Sequence, residues 1–159
     1  MQKRRAARIL VLLALYQIEV GGATPAQALE SVFSPTADEA LTAFFAGSKK
    51  VPKATDIGSD EVLRAFVTAT VEGTWKTRES LDEKLRERSQ NWRPERMSRT
   101  DLNILRMALF ELESGSGIPG AVTVNEAVEL AKAFGEDESG GFVNGILGSM
   151  LEVNRHGDG

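Results

Sequence analysis

Residues 3–19 read KRRAARILVLLALYQIE, which is a cationic start followed by an apolar run and a glutamate. Such a segment suits a signal peptide, a membrane anchor or a buried helix with a charged end. The apolar run is far shorter than the roughly 20 residues that span a bilayer. Arg8 lies one helical turn beyond the first cations and Gln17 ends the run early, which favours a buried helix in a bundle. A secreted protein cleaved near residue 26 is the alternative.

The composition is that of a soluble globular protein with one domain. The chain has 159 residues, of which 42% are hydrophobic and 26% are charged. It contains no cysteine, so thiolate catalysis and thiolate metal sites are excluded, and a reducing cytoplasm is favoured. Its one histidine, His156, lies in the polar end NRHGDG. Because no nucleophile, base and oxyanion site combine, we predict a protein that is not an enzyme and needs neither metal nor cofactor.

Positive charge is concentrated at the start of the chain. The net charge is -4, yet residues 1–18 hold four of the 19 cations and none of the 23 acids. These four residues, called the cationic start below, are Lys3, Arg4, Arg5 and Arg8. A short basic segment on an acidic body attracts phosphates locally and repels them elsewhere. The pattern predicts a defined anion site.

Helical periodicity recurs along the chain, and no stretch alternates long enough to predict a strand. We predict an all-α protein with about seven helices in a single domain over residues 1–153, with a flexible polar tail at 154–159. The predicted helices cover 3–19, 25–33, 37–46, 60 to about 93, 104–112, 123–134 and 139–150. Residues 47–59 are predicted to form a loop.

Start and stop signals define several helix ends. Thr24 before Pro25 is typical of an N-cap, and Ser59 or Asp60 can cap the long helix that follows. Gly73 can bend that helix. Thr123 and Glu126 have the spacing of a capping box, in which hydroxyl and carboxylate each accept a free backbone N–H.

Four stretches carry a resemblance to a known family. They are RRAAR…ALYQ at the front, NW…LNILRMALFEL at 91–112, IPGAVTVNEAVELAKAFG at 118–135 and SGGFVNGILG at 139–148. Together they resemble the bacterial transcription antitermination factors of the NusB family over nearly the whole chain. The match is most specific where NEAVELAK is followed closely by FVNGIL.

The resemblance implies a fold, a function and partners. Members of this family are all-helical, consist of two packed helical bundles and are not enzymes. They bind a single-stranded element of ribosomal RNA leader transcripts, called boxA, together with the ribosomal protein NusE. The complex joins RNA polymerase in the cytoplasm and suppresses premature termination. No membrane is involved. Members occur as monomers and as dimers, so a homodimer is one possible state of this protein.

The resemblance also implies functional residues. The RNA surface of the family combines the basic first helix with the start of the last helix, which selects the cationic start (Lys3, Arg4, Arg5 and Arg8) and Ser139 with Phe142. Tyr16 corresponds to a tyrosine near the contact with the ribosomal protein. Each has a structural alternative: a solvated helix start for the cations, and core packing for Phe142 and Tyr16. The pair Asn144 and Gly145 is interpreted as a site of close helix packing.

Four positions depart from the family pattern. Ile9 stands where many members have an acid, and Leu13 where they have a glutamine. Gly140 and Gly141 replace a basic or polar pair before the phenylalanine. Polar anchors are therefore missing near the expected RNA surface. The second hypothesis is a helical protein–protein interaction module whose RNA binding is weakened or lost.

Overall fold

The computed structural model describes residues 2–89 and 93–157, with side chains for 2–89 and 93–151. Within these ranges every regular element is a helix, which confirms the all-α prediction. The helices group into two compact units, Met1–Trp75 (unit 1) and Lys76–Gly159 (unit 2). The described residues form nine α-helices, so the predicted number of about seven was too low.

Unit 1 is built around the first helix. Its elements are α1 (Gln2–Glu19), α2 (Pro25–Val32), a 3-10 turn (Pro35–Ala37), α3 (Asp38–Phe44), α4 (Ala54–Ser59) and α5 (Glu61–Lys76), whose last residue passes into unit 2. Helix α1 packs against α2, α3 and α4. The large side chains in the core of unit 1 are Ile9, Leu10, Leu15, Leu41 and Ile57, all fully buried. Each such side chain contributes about 1.5–3 kcal/mol of burial free energy.

Unit 2 is built from three long helices that pack on one another. Its elements are α6 (Arg78–Arg88), a 3-10 turn (Pro94–Arg96), α7 (Arg99–Glu113), α8 (Gly120–Phe134) and α9 (Ser139–Gly157). Helices α7, α8 and α9 contact each other, and α6 contacts α7 and α9. Its fully buried leucines and isoleucine are Leu81, Leu85, Leu102, Ile104, Leu105, Leu130 and Leu147.

Some predictions fall outside the described part of the chain. Asn91 and Trp92 of the second resembling stretch are not described, and neither are residues 158–159. The backbone of α9 extends through residues 154–157 of the predicted tail. The side chain of His156 also lies outside the described residues.

The two additional helices have separate physical origins. Helix α4 lies in the predicted loop and has no local side-chain cap at Lys53. Its Ala54 N–H is instead accepted by Asp38 Oδ1 at 2.8 Å, sixteen residues earlier, which a local pattern cannot reveal. The predicted helix from residue 60 to about 93 is two helices, because the chain turns at Thr77. Gly73 lies inside α5 and does not mark the break.

Two helix starts agree with the capping signals. Thr24 and Gln27 form a reciprocal capping box at α2, with hydrogen bonds of 3.0 and 3.1 Å. Asp60, the second of the two proposed caps, accepts the N–H groups of Val62 and Leu63 through Oδ1, each at 3.1 Å. These bonds satisfy backbone donors that have no partner within the helix.

The capping box predicted at Thr123 and Glu126 is wrong. Helix α8 begins three residues earlier, at Gly120, after Pro119. Thr123 is therefore inside the helix, where it is buried, and its hydroxyl donates to Glu111 Oε1 at 3.1 Å. The threonine satisfies a buried carboxylate of α7 and leaves the helix start to the proline, whose fixed φ favours a helical turn.

A buried ion pair ties α6 to α7. Arg106 donates from Nε to Asp82 Oδ1 and from Nη2 to Oδ2, both at 2.7 Å. The side chains are 7% and 15% exposed, so the pair is shielded from water. Bidentate geometry makes this contact directional as well as strong, and it fixes the register of the two helices.

Candidate functional site

The cationic start lies in the first two turns of α1, but its four members differ in exposure. Lys3 is exposed, and Arg4 and Arg5 are half-buried. Arg8 is only 4% exposed, so a solvated helix start does not describe this arginine. The first turn of α1 contains no acid. Three of the four cations are thus at least partly open to solvent at the positive end of the helix dipole.

An aromatic ring from α5 holds two of these arginines. The Arg4 guanidinium carbon lies 4.5 Å from the centroid of the Phe66 ring. The corresponding distance for Arg8 is 5.6 Å. Both distances are within the roughly 6 Å range of a cation–π interaction. Sequence reasoning missed Phe66, because the phenylalanine stood in the apolar pattern of a core helix.

Two of the departures from the family pattern now have a structural setting. Ile9 is fully buried and belongs to the core of unit 1. Leu13 is half-buried and lines a cavity of about 380 Å³ with Gln17 and residues of α2 and α3, among them Ser31 and Ala40. An apolar residue at position 9 therefore adds core packing and presents no surface toward solvent.

Tyr16 lies at the surface of unit 1. Its side chain is 48% exposed, and that of Val20 one turn later is 52% exposed. The interpretation of Tyr16 as a core residue is therefore wrong. An exposed aromatic one turn before an exposed valine makes a small apolar patch at the end of α1, of the kind that often marks a contact with another protein.

Ser139 begins α9 and is buried. Its hydroxyl donates to Asp101 Oδ2 at 3.1 Å and accepts the Glu136 N–H at 2.9 Å. Asp101 is itself held at its backbone, because its N–H donates to Ser98 Oγ at 3.1 Å. The hydroxyl therefore joins the start of α7, the turn after α8 and the start of α9.

A cavity of about 340 Å³ lies beside this cluster and is called the Asp101 cavity below. Its lining includes Arg96, Ser98, Asp101, Glu138, Ser139 and Phe142. Asp101 Oδ1 is buried, and no described residue donates a hydrogen bond to it. The Phe142 ring is half-buried at the cavity wall, so it is not fully taken up by core packing.

An exposed ion pair positions the segment that carries Arg96. Arg86 of α6 donates from Nε and Nη2 to Glu95 Oε1 and from Nη1 to Glu83 at 3.0 Å. The hydrogen bond from Arg86 is the main reason why the pKa of Glu95 falls below its usual range. The same bond raises the pKa of Arg86. The 3-10 turn is thus tied to α6 by charge.

Glycines near the start of α9 differ in their surroundings. A Cβ at Gly135 would lie 2.6 Å from Ser139 Cβ and 2.7 Å from the Ala131 carbonyl oxygen. A Cβ at Gly140 would meet Lys132 Cγ at 3.0 Å, whereas one at Gly141 would meet nothing within 4 Å. Gly145 also faces open space, and Asn144 is exposed. The interpretation of Asn144 and Gly145 as a site of close helix packing is therefore wrong.

Ser139 and Phe142, which the sequence analysis selected together, both line the Asp101 cavity, but two other residues of its lining were missed. Arg96 follows a proline in a short 3-10 turn and carries no motif. Asp101 had a signal, because Ser98 precedes it by three residues and caps α7. Among the described residues no cluster of three or more histidine or acidic side chains is arranged to hold a metal ion. None of the described helices is long and apolar enough to cross a membrane.

The fold and these surfaces define an all-helical binding protein with a cationic helix start, an exposed aromatic and a separate acceptor-rich cavity. The family model described as the NusB family matches residues 5–152. The transcription antitermination protein NusB of Myxococcus xanthus is 43% identical over 147 residues, covering 92% of this chain and 93% of that protein. This chain belongs to the NusB family.

Solved structures agree with this assignment. NusB of T. maritima superposes with a TM-score of 0.71 at 28% identity, over 94% of this chain and 90% of that one. A chain from a crystal structure of the antitermination factors NusB and NusE in complex with dsRNA gives a TM-score of 0.71 at 19% identity, over 96% and 98% of the two chains. The latter supports the fold. The family is one of transcription factors, in agreement with the prediction that this protein is not an enzyme.

Proposed function

We propose that this protein is a transcription antitermination factor that binds the boxA element of ribosomal RNA leader transcripts with the ribosomal protein NusE. In this function it joins the RNA polymerase antitermination complex in the cytoplasm and catalyses no reaction. Membership of the NusB family carries the proposal. The concentration of cations at the start of α1, on a chain with a net charge of -4, supports it independently.

Phosphates are assigned to the cationic start. Lys3, Arg4 and Arg5 are the accessible members. Arg8 is buried behind them and adds its positive charge to the same end of α1. The N-terminus is the positive end of the helix dipole, so it attracts an anion and adds to the attraction that the nearby cations exert on a phosphate. Because the rest of the chain is acidic, phosphate binding at this end is favoured over binding elsewhere on the surface.

A nucleobase is assigned to the Asp101 cavity. Its lining holds three acids, Asp101, Glu136 and Glu138, against one cation, Arg96, which disfavours a phosphate there. Carboxylate oxygens accept hydrogen bonds, and Glu136 and Glu138 are exposed, so the amino or imino N–H of a base would be a matching partner for them. The half-buried Phe142 offers a ring for stacking, as single-stranded recognition requires, and Ser139 orients Asp101.

The arrangement of the chain follows the family. We propose that units 1 and 2 correspond to the two helical bundles of one NusB-like domain over residues 1–153, with 154–159 as a polar tail. Tyr16 is assigned to the ribosomal protein, because its ring is exposed on α1 beside Val20. A homodimer through the same apolar patch is the state expected if the partner is absent.

Fluorescence anisotropy of labelled boxA RNA over a salt series tests the proposal, with and without purified NusE. For single strands, three phosphate contacts give a slope of log affinity against log salt of about -2, and four give about -3. Replacing Lys3, Arg4 and Arg5 by alanine should weaken binding roughly ten- to hundredfold at low salt and flatten this slope. The matched control replaces Lys49, Lys50 and Lys53 by alanine. These lysines are exposed in the same unit, and their replacement removes the same amount of positive charge.

The outcomes separate the two surfaces. Phe142→Leu should weaken binding at an unchanged salt slope, because it removes a stacking ring and no charge. No binding by the wild-type protein at low salt, with or without NusE, contradicts the RNA function. Equal losses in the two triple variants would show that only net charge matters and would move the site away from α1.

One observation favours the second function, a protein-interaction module with weakened RNA binding. Gly141 is exposed with open space around it, so no side chain at this position supplies the basic or polar anchor typical of the family. In that case NusE would bind with the same affinity in the presence and absence of boxA RNA. Titration calorimetry of both mixtures distinguishes the two functions.

A further inference from the structure

The arrangement of Arg4, Arg8 and Phe66 has a consequence for phosphate binding. Arg4 and Arg8 are separated by four residues, so they share one face of α1. Their guanidinium carbons lie 4.5 and 5.6 Å from the centroid of the same ring. Phe66 comes from α5, and all three residues belong to unit 1. A single aromatic side chain therefore interacts with two cations.

We propose that Phe66 is a positioning residue that holds Arg4 for phosphate binding, with the buried Arg8 beside it, and that the ring itself cancels the charge of neither arginine. The inference rests on the proposed function of α1 in RNA binding. A ring attracts a cation through its quadrupole and carries no net charge. A carboxylate in the same place would fix the arginines equally well but would neutralise them and repel the phosphate. An aromatic anchor therefore preserves the positive potential at the start of α1.

The chemistry of the guanidinium group makes this anchor compatible with a phosphate. The ring interacts with the charge of the group over a broad area, whereas the five N–H donors radiate in the guanidinium plane. A phosphate oxygen takes up those in-plane donors. An arginine can therefore contact the ring and a phosphate at the same time.

The anchor also reduces the entropy lost on binding. Two like charges one helical turn apart repel each other, and long side chains lose rotamer freedom when a ligand fixes them. The shared ring opposes that repulsion and restricts both side chains before RNA arrives. Arg8 is already 4% exposed, and Arg4 is half-buried, which agrees with side chains held against the protein.

A matched pair of substitutions in the full-length protein tests the proposal. Phe66→Leu removes the ring but keeps an apolar side chain of similar size, and Phe66→Trp keeps an aromatic face. Phe33→Leu is the control, because Arg64 lies 4.5 Å from the Phe33 ring in the same unit. We expect Phe66→Leu to weaken binding of labelled boxA RNA roughly three- to tenfold, whereas Phe66→Trp and Phe33→Leu stay near the wild type.

Two further measurements separate positioning from a loss of stability. In the free protein, the ring should shift the side-chain proton resonances of Arg4 and Arg8 upfield, and Phe66→Leu should abolish that shift while the folded fraction stays unchanged. In a protein with Arg4→Gln and Arg8→Gln, adding Phe66→Leu should weaken RNA binding no further. A loss of the same size in this background would assign Phe66 a merely structural role.

The failure of this inference differs from that of the proposed function. Wild-type affinity in Phe66→Leu, in a protein that does bind boxA RNA, overturns the positioning role alone. A wild-type protein that fails to bind the RNA at low salt overturns both. Resonances of Arg4 and Arg8 that do not respond to Phe66→Leu exclude the contact with the ring, whatever the RNA affinity.

Discussion

Ser139 connects three segments of unit 2 through one hydroxyl group. It accepts the Glu136 N–H and donates to Asp101 Oδ2, so both the donor and the acceptor capacity of the hydroxyl are used. Each bond contributes about 0.5–1.5 kcal/mol, with more at stake for the one to a carboxylate. The residue thus fixes the position of Asp101 at its cavity, although its own side chain is buried.

Gly135 leaves the space that Ser139 occupies. We predict that Gly135→Ala destabilises the protein by about 1–3 kcal/mol, because the added methyl overlaps Ser139 Cβ and the Ala131 carbonyl oxygen. Urea denaturation followed by circular dichroism measures the change. The control is Gly141→Ala, which has open space inside α9 and should stabilise by about 0.5–1 kcal/mol. Equal stabilities of the two variants would contradict the packing seen at Gly135.

Helix positions were predictable where their signals are local. The Thr24 cap of α2, the Asp60 cap and the start of α9 at Ser139 each follow from residues within a few positions. Helix α4 was missed because its first N–H bonds to Asp38, which is distant in sequence. The start of α8 was misplaced because Thr123 satisfies Glu111 of another helix. Tertiary hydrogen bonds override local propensity in both cases.

The candidate site shows the same division. The resemblance to the family selected Lys3, Arg4, Arg5 and Phe142 as candidate RNA contacts, and this selection needs only residue type and position in the sequence. The burial of Arg8 and the contact with Phe66 depend on how α1 meets α5, and no spacing in the sequence encodes that contact. Local composition therefore predicts which residues can bind, and packing decides how they are presented.

The 3-10 turn before α7 is held by charge, which makes it sensitive to acid. Glu95 has a lowered pKa because it accepts hydrogen bonds from Arg86. A carboxylate whose pKa is lower in the folded state stabilises the fold above its unfolded pKa, and this contribution is lost as the pH falls through the folded value. The relevant window therefore lies below the ordinary glutamate pKa of 4.5. Both side chains are exposed, so salt should screen the interaction.

We predict that Arg86→Gln moves the titration midpoint of Glu95 upward, toward its ordinary value. Carbon-detected NMR of the Glu95 carboxyl group across the acid range measures this change in both proteins. The control is Lys84→Gln on the same helix, whose ammonium group pairs with Glu113 instead. If the midpoint of Glu95 is the same in wild type and Arg86→Gln, the ion pair does not form in solution.

Charge and exposed apolar surface are distributed unevenly over the whole molecule. Four of 19 cations occupy the first 18 residues, while the total charge is -4. The large side chains exposed among the described residues include Tyr16 on α1 and Val20 directly after its last residue. One helix therefore carries both the proposed phosphate contacts and the proposed protein contact. We therefore expect substitutions at the cationic start to weaken RNA binding alone and substitutions at Tyr16 to weaken NusE binding alone.

Tyr16→Ala should weaken the binding of NusE and leave the binding of RNA intact. If NusE and RNA bind jointly, each must raise the affinity of the other by the same factor. We expect Tyr16→Ala to weaken the affinity for NusE roughly tenfold, which is about 1.4 kcal/mol of binding free energy. The affinity for RNA in the absence of NusE should stay unchanged. Calorimetry measures the affinity for NusE, and fluorescence anisotropy measures the affinity for boxA RNA. Val62→Ala on α5 is the control, since Val62 is 66% exposed and lies on another helix. Equal losses in Tyr16→Ala and Val62→Ala would exclude Tyr16 as a specific contact, whereas a loss of RNA affinity without NusE would place the tyrosine in the RNA site.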